Sequence, residues 1–164
     1  MKLFSEYLAE AEAAEQSHKD GTYASLSVKK IGRDKLHSWL EKQKIEGLVD
    51  PKEYHCTIVF STKPVPEVKD IPVPFPIKAK AIGWDIFGSD KMLVLKITNP
   101  KLFDLFDKTV EMGAVSDYPS FVPHISVATG YKGDIPTKIP SFLIQFDKFK
   151  VGPLDRDFEY NDDE

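Results

Sequence analysis

Tyr54-His55-Cys56-Thr57-Ile58-Val59-Phe60-Ser61 is the stretch on which the reading of this chain turns. β-Branched and aromatic residues dominate it, and the turn signal Asp50-Pro51 precedes it, so it predicts a strand. Side chains of a strand alternate between its faces. His55, Thr57 and Val59 are then expected on one face, and Cys56, Ile58 and Phe60 on the other, in the core. An imidazole and a hydroxyl stand side by side, pointing away from that core. The chain repeats the arrangement at Pro123-His124-Ile125-Ser126-Val127-Ala128. There His124 and Ser126 share a face, and Ile125 and Val127 point inward.

The elements leading to the two histidines also correspond. Thr22 to Lys29 alternates as a strand, with Ala24, Leu26 and Val28 inward and Tyr23, Ser25 and Ser27 on the polar face. A helix over 34–46 follows, with Leu36, Trp39, Leu40 and Ile45 forming its apolar stripe. In the second half, 77–87 reads as a long strand, Gly88-Ser89-Asp90 as a turn, and 91–98 as the next strand. Pro100 then opens a helix over 100–113. Val28 lies 27 residues before His55, and Ile97 lies 27 before His124. A shift of 69 superposes His55 on His124, Thr57 on Ser126, Leu26 on Leu95 and Leu36 on Leu105. Polar pair and apolar partners move together, which marks a duplication. The expected fold class is α+β: two pseudo-symmetric lobes of antiparallel sheet with flanking helices and a groove between them.

Between the halves, residues 62–76 carry five prolines, a density that excludes helix and central strand and predicts an extended crossover. A helix over 3–16 is expected at the N-terminus from its helical spacing of apolar residues. A last strand is expected over 141–151. The whole reads as one domain over 1–154 with an acidic tail over 155–164.

A chain of 164 residues with one cysteine has no internal disulfide and fits a reducing cytosol. No apolar run suits a membrane span, and the N-terminus turns acidic where a signal peptide is apolar. These features predict a cytoplasmic protein. Net charge is −4, and the last ten residues hold six acids and one Arg. The net charge argues against long nucleic acids as ligands, while the body without the tail is near neutral and leaves room for a local basic groove.

Two histidines across a groove suit general acid–base work. Imidazole titrates near neutrality, so one ring can be neutral while the other is protonated. Thr57 and Ser126 can donate hydrogen bonds to phosphoryl oxygens. Twofold placement suits in-line displacement at phosphorus. The spacing His-x-Thr is no metal-ligand spacing, and no carboxylate or cysteine cluster accompanies it, so no metal and no cofactor is expected.

The paired His-Cys-Thr-Ile-Val and His-Ile-Ser-Val-Ala segments resemble the two-histidine phosphoesterase superfamily, over roughly residues 20–151. Within it, chain size, the Gly21-Thr22-Tyr23 and Tyr54-His55-Cys56-Thr57 contexts and the motif separation look most like the phage anti-CBASS phosphodiesterases. The second motif carries Ser126 where threonine is common, and either hydroxyl can serve. The resemblance implies a cyclic oligonucleotide such as 3′,3′-cGAMP as substrate. It also implies aromatic side chains that grip the bases, and base stacking is worth about 1–3 kcal/mol per base. Tyr23 is the natural match. Trp84 is a second candidate, with core packing as its equal competitor. Lys96, at the shift-equivalent of Ser27, is expected to face the groove, either toward a phosphate or simply toward solvent. RNA-end processing and non-catalytic nucleotide binding are the competing functions. His37 on a helix among charged residues, His18 in a linker and Cys56 in the core are read as outside the chemistry. Tyr118 and Phe121 read as anchors of the loop before His124, or as a lid.

Overall fold

The computed structural model describes residues 20–116 and 120–154. The expected N-terminal helix, His18, Tyr118 and the acidic tail lie outside the described residues. The strands are β1 (Thr22–Val28), β2 (His55–Ser61), β3 (Ile77–Phe87), β4 (Met92–Thr98), β5 (His124–Ala128) and β6 (Ile144–Pro153), with helices α1 (Lys30–Lys42) and α2 (Pro100–Glu111). The strands form one antiparallel sheet in the order β2-β1-β6-β3-β4-β5. Its middle seam is short. β6 and β3 pair only through Ile77↔Phe146, Lys78↔Gln145 and Ala79↔Ile144. The sheet is thereby two three-stranded lobes, and α1 and α2 each follow the first strand of a repeat.

The duplication is visible in the hydrogen bonding. Ser27 faces His55 across β1 and β2, and Lys96 faces His124 across β4 and β5. The Val28 N–H donates to the Tyr54 carbonyl, and the Ile97 N–H donates to the Pro123 carbonyl. Both pairs superpose at the shift of 69 read from the sequence. Each histidine strand also carries a β-bulge at the same place. Ile58 is skipped between the pairs Ala24↔Val59 and Ser25↔Thr57, and Val127 between Leu93↔Ala128 and Val94↔Ser126.

The bulge corrects one expectation. An extra residue reverses the phase of alternation beyond it. Val59 falls into the core beside Ile58, and Phe60 comes out on the face of His55 and Thr57. Strict alternation had assigned both residues the other way.

β2 and β5 stand at the two ends of the strand order yet lie against each other. Reciprocal clasps hold them. Past α1, the Val49 N–H donates to the Val127 carbonyl and the Thr129 N–H to the Gly47 carbonyl. Past α2, the Thr62 N–H donates to the Val115 carbonyl, and the Val115 N–H donates to Ser61 Oγ. Gly47 has φ of +76°, and a Cβ there would meet the Thr129 carbonyl oxygen at 2.5 Å. That close approach requires glycine.

Ala24, Leu26, Cys56, Ile77, Ala79, Leu93, Leu95, Ile125, Ile144 and Phe146 are fully buried on the opposite face from the histidines, and Leu36, Leu40, Leu102 and Leu105 cover them from the helices. α1 begins at Lys30, earlier than the sequence suggested, and the Arg33 N–H donates to the Lys29 carbonyl at its start. α2 starts where Pro100 placed it, with Asn99 Oδ1 accepting from the Lys101 N–H. The proline-rich crossover is not wholly extended. Pro66–Asp70 forms a 3-10 turn whose first residue needs no N–H, and Val65, Val68 and Ile71 cap the core.

Candidate active site

His55 and His124 are the first residues of β2 and β5, and their anchoring is identical. His55 Nδ1 lies 2.6 Å from the Glu53 carbonyl oxygen, and His124 Nδ1 lies 2.7 Å from the Val122 carbonyl oxygen. A carbonyl only accepts, so each Nδ1 carries its hydrogen and donates. The tautomer of both rings is thus fixed, and Nε2 is the basic nitrogen when the ring is neutral. These carbonyls sit two residues before each histidine, in register with the repeat. Sequence reading passed over them because any residue type supplies a carbonyl.

Burial is the largest influence on both rings and holds both below the ordinary imidazole range. The charge of Lys150 pushes His55 down further, and that of His55 pushes His124 down, while the two anchoring carbonyls oppose these shifts. The histidines are therefore near enough to sense one another.

Thr57 and Ser126 lie two residues on, on the histidine face, ahead of their bulges. Thr57 Oγ1 shares a 2.8 Å hydrogen bond with Tyr23 Oη. Tyr23 meets the rings of His55 and Phe60 edge-on, at centroid distances of 6.5 and 6.0 Å. On the other side, Phe87 meets His124 edge-on at 4.9 Å. Lys96 stands directly across from His124, its stem over Gly83. The structure thus brings together His55, Thr57, His124, Ser126, Tyr23 and Lys96. It adds Phe60 and Phe87, which the sequence reading missed. Phe60 was hidden by the bulge in β2. A further bulge, in β3 between Ala81 and Gly83, makes parity within that strand equally misleading.

Trp84 does not belong with them. It is 7 % exposed on the helix side of the sheet, stacked on Trp39 of α1 at 6.2 Å, and its Nε1–H donates to the Lys138 carbonyl. Core packing is the reading that the contacts support. His37 is half-buried, with Nδ1 3.0 Å from Tyr54 Oη. Phe121 stacks on Phe106 at 4.7 Å and anchors its loop to α2. Cys56 is buried, and desolvation pushes its thiol up to about 12, so it is protonated and inert.

The two-lobed sheet with a histidine strand in each lobe is a fold shared with solved structures that include a phosphoesterase. TT0787 of Thermus thermophilus matches with a TM-score of 0.60 at 16 % identity, over 79 % of this chain and 86 % of its own. Escherichia coli LigT complexed with 3′-AMP matches with a TM-score of 0.56 at 14 % identity, over 79 % of this chain and 85 % of its own. Within that fold, the chain belongs to the family described as Anti-CBASS protein Acb1, whose model matches residues 20–161. Acb1 of Vibrio phage KVP40 is 21 % identical over 144 residues, covering 87 % of this chain and 93 % of that protein.

Proposed function

We propose that the protein is a metal-independent phosphodiesterase that opens cyclic di- or trinucleotide immune signals of the 3′,3′-cGAMP kind, and so counters CBASS immunity. Family membership supports the substrate class. The mechanism rests above all on one observation: two imidazoles with the same tautomer, held alike at equivalent places, with the charge of His55 acting on His124.

In the first step a substrate 2′-hydroxyl attacks the adjacent phosphorus. The neutral histidine takes the hydroxyl proton at Nε2, and the protonated histidine gives its Nε2 proton to the departing 5′-oxygen. A 2′,3′-cyclic phosphate forms. Water then opens it with the two roles exchanged, leaving a linear product with a 3′-phosphate. The hydroxyls of Thr57 and Ser126 donate to the non-bridging oxygens, where the transition state holds its charge. Thr57 can spend its hydrogen on phosphate because Tyr23 Oη can donate to it in turn. Tyr23 also offers its ring face or edge to a base, and Lys96 a charge to the phosphate beside His124. Residues 1–154 form one catalytic unit working in the cytosol. Among the described residues no helix is long and apolar enough to cross a membrane.

Chromatography after incubation with a panel of cyclic nucleotides and short RNAs tests this reading, with H124A protein as control. Linear 3′-phosphate products from the cyclic panel, absent with H124A, are expected. Preferential turnover of RNA ends would favour RNA processing, and binding without turnover a nucleotide sponge.

A further inference from the structure

The two lobes share a backbone but differ in charge. On the histidine face of β6, Lys150 stands across from Ser25 and Lys148 across from Ser27, and those serines stand across from Thr57 and His55 on the other side. Both lysines are thus two strands, about 10 Å, from the first motif. In the second lobe the same register positions fall on β3. Gly83 stands across from Lys96, and Asp85 across from Val94, which in turn faces Ser126. The place of Lys148 is taken by a glycine, and that of Lys150 by an aspartate whose Oδ1 is turned to the Ile86 N–H at 2.7 Å. Both lysines are exposed, and among the described residues neither has an ion-pair partner. Its register places Lys150 on the histidine face of β6, and its charge acts on His55. In a chain of net charge −4, such a concentration of positive charge beside the first motif suits an anion.

We infer that Lys148 and Lys150 form a subsite for a phosphate that is not being cut, so that a substrate with more than one phosphodiester is held in one orientation across a groove whose backbone is twofold. The inference rests on the proposed activity and sharpens it. A phosphate between the motifs sits at the histidines. A second phosphate across the nucleotide ring reaches toward β6, where two flexible ammonium groups meet it, and is turned away from β3, where Asp85 repels it.

The test compares wild type and K148Q/K150Q protein on a cyclic dinucleotide, which has a second phosphate, and on a 2′,3′-cyclic mononucleotide, which has none. KM for the dinucleotide is expected to rise roughly tenfold or more beyond any rise for the mononucleotide, the worth of a charge-assisted hydrogen bond. K148R/K150R should restore it. Equal rises for both substrates, or none for the dinucleotide, overturn the subsite. Calorimetric titration of the dinucleotide into H124A protein, with and without the lysine changes, separates the two readings. Lysine-dependent binding by a protein whose wild type cuts nothing sustains the subsite and overturns the catalysis. Cleavage with lysine-independent KM and binding does the reverse. Absence of both binding and cleavage overturns both.

Discussion

The lobe around His55 and the lobe around His124 are built on one backbone plan and finished with different side chains. Strand register, bulge position, imidazole anchoring and the bond entering each histidine strand all superpose. The surroundings do not. Tyr23, itself packed on Phe60, flanks His55, whereas Phe87 flanks His124. Thr57 becomes Ser126, Lys150 becomes Asp85, and Ser27 becomes Lys96. Under the proposed function, the common part serves an in-line displacement, which needs a group on each side of phosphorus. The divergent part is what a ligand without twofold symmetry needs in order to bind one way round.

If the common part carries the chemistry, H55A and H124A should each lose about 10²–10⁴-fold in kcat, the range for a positioned acid or base. Steady-state assay of product would break the comparison if either variant kept near wild-type turnover. The next effect is that of the hydroxyls. T57V and S126A should each lose about 10²–10³-fold, as for a preorganised donor to a developing charge, and T57S and S126T should recover most of it. A large loss from one and none from the other would show that only one lobe holds the phosphoryl oxygens.

Acidity sharpens the comparison further. Burial lowers both imidazoles from 6.5, so kcat/KM should follow a bell whose maximum lies on the acid side of that value, since one ring must be neutral and the other protonated. A monotonic profile would count against paired roles. The sign for stability is the opposite of a salt-bridged histidine's. The unfolded chain takes up protons that the folded histidines refuse, so stability should fall as pH drops through 6.5 toward the folded values. Urea melts across that window check this, and the slope should shrink in H55Q.

Smaller effects separate groove from core. Y23F removes one hydrogen bond to Thr57, worth about 1 kcal/mol, and should lower kcat severalfold without lowering the melting temperature by a comparable free energy. W84F should do the reverse. Losing the bond to the Lys138 carbonyl and part of the Trp39 stack costs about 1–2 kcal/mol of stability, with KM for nucleotide within about twofold of wild type. A larger rise in KM would return Trp84 to the ligand site.

Spacing and residue type were enough to recover the duplication, the antiparallel lobes with their helices, and the placement of His55, Thr57, His124 and Ser126 on one side of their strands. Those features follow from local pattern: alternation over a few residues, a proline at a helix start, and a constant interval between equivalent positions. Tertiary structure decided the rest. Whether Phe60 or Val59 faces the groove depends on a bulge at Ile58, set by pairing with β1, and Ile58 itself is unremarkable. Trp84 went to the core because Trp39 and the Lys138 carbonyl meet it there, partners 45 and 54 residues away in the chain. Lys148 and Lys150 gain meaning only when β6 inserts beside β1. Local sequence sets periodicity, but a bulge, a stacking partner and a neighbouring strand are long-range facts, and they settle which side chains the groove finally presents.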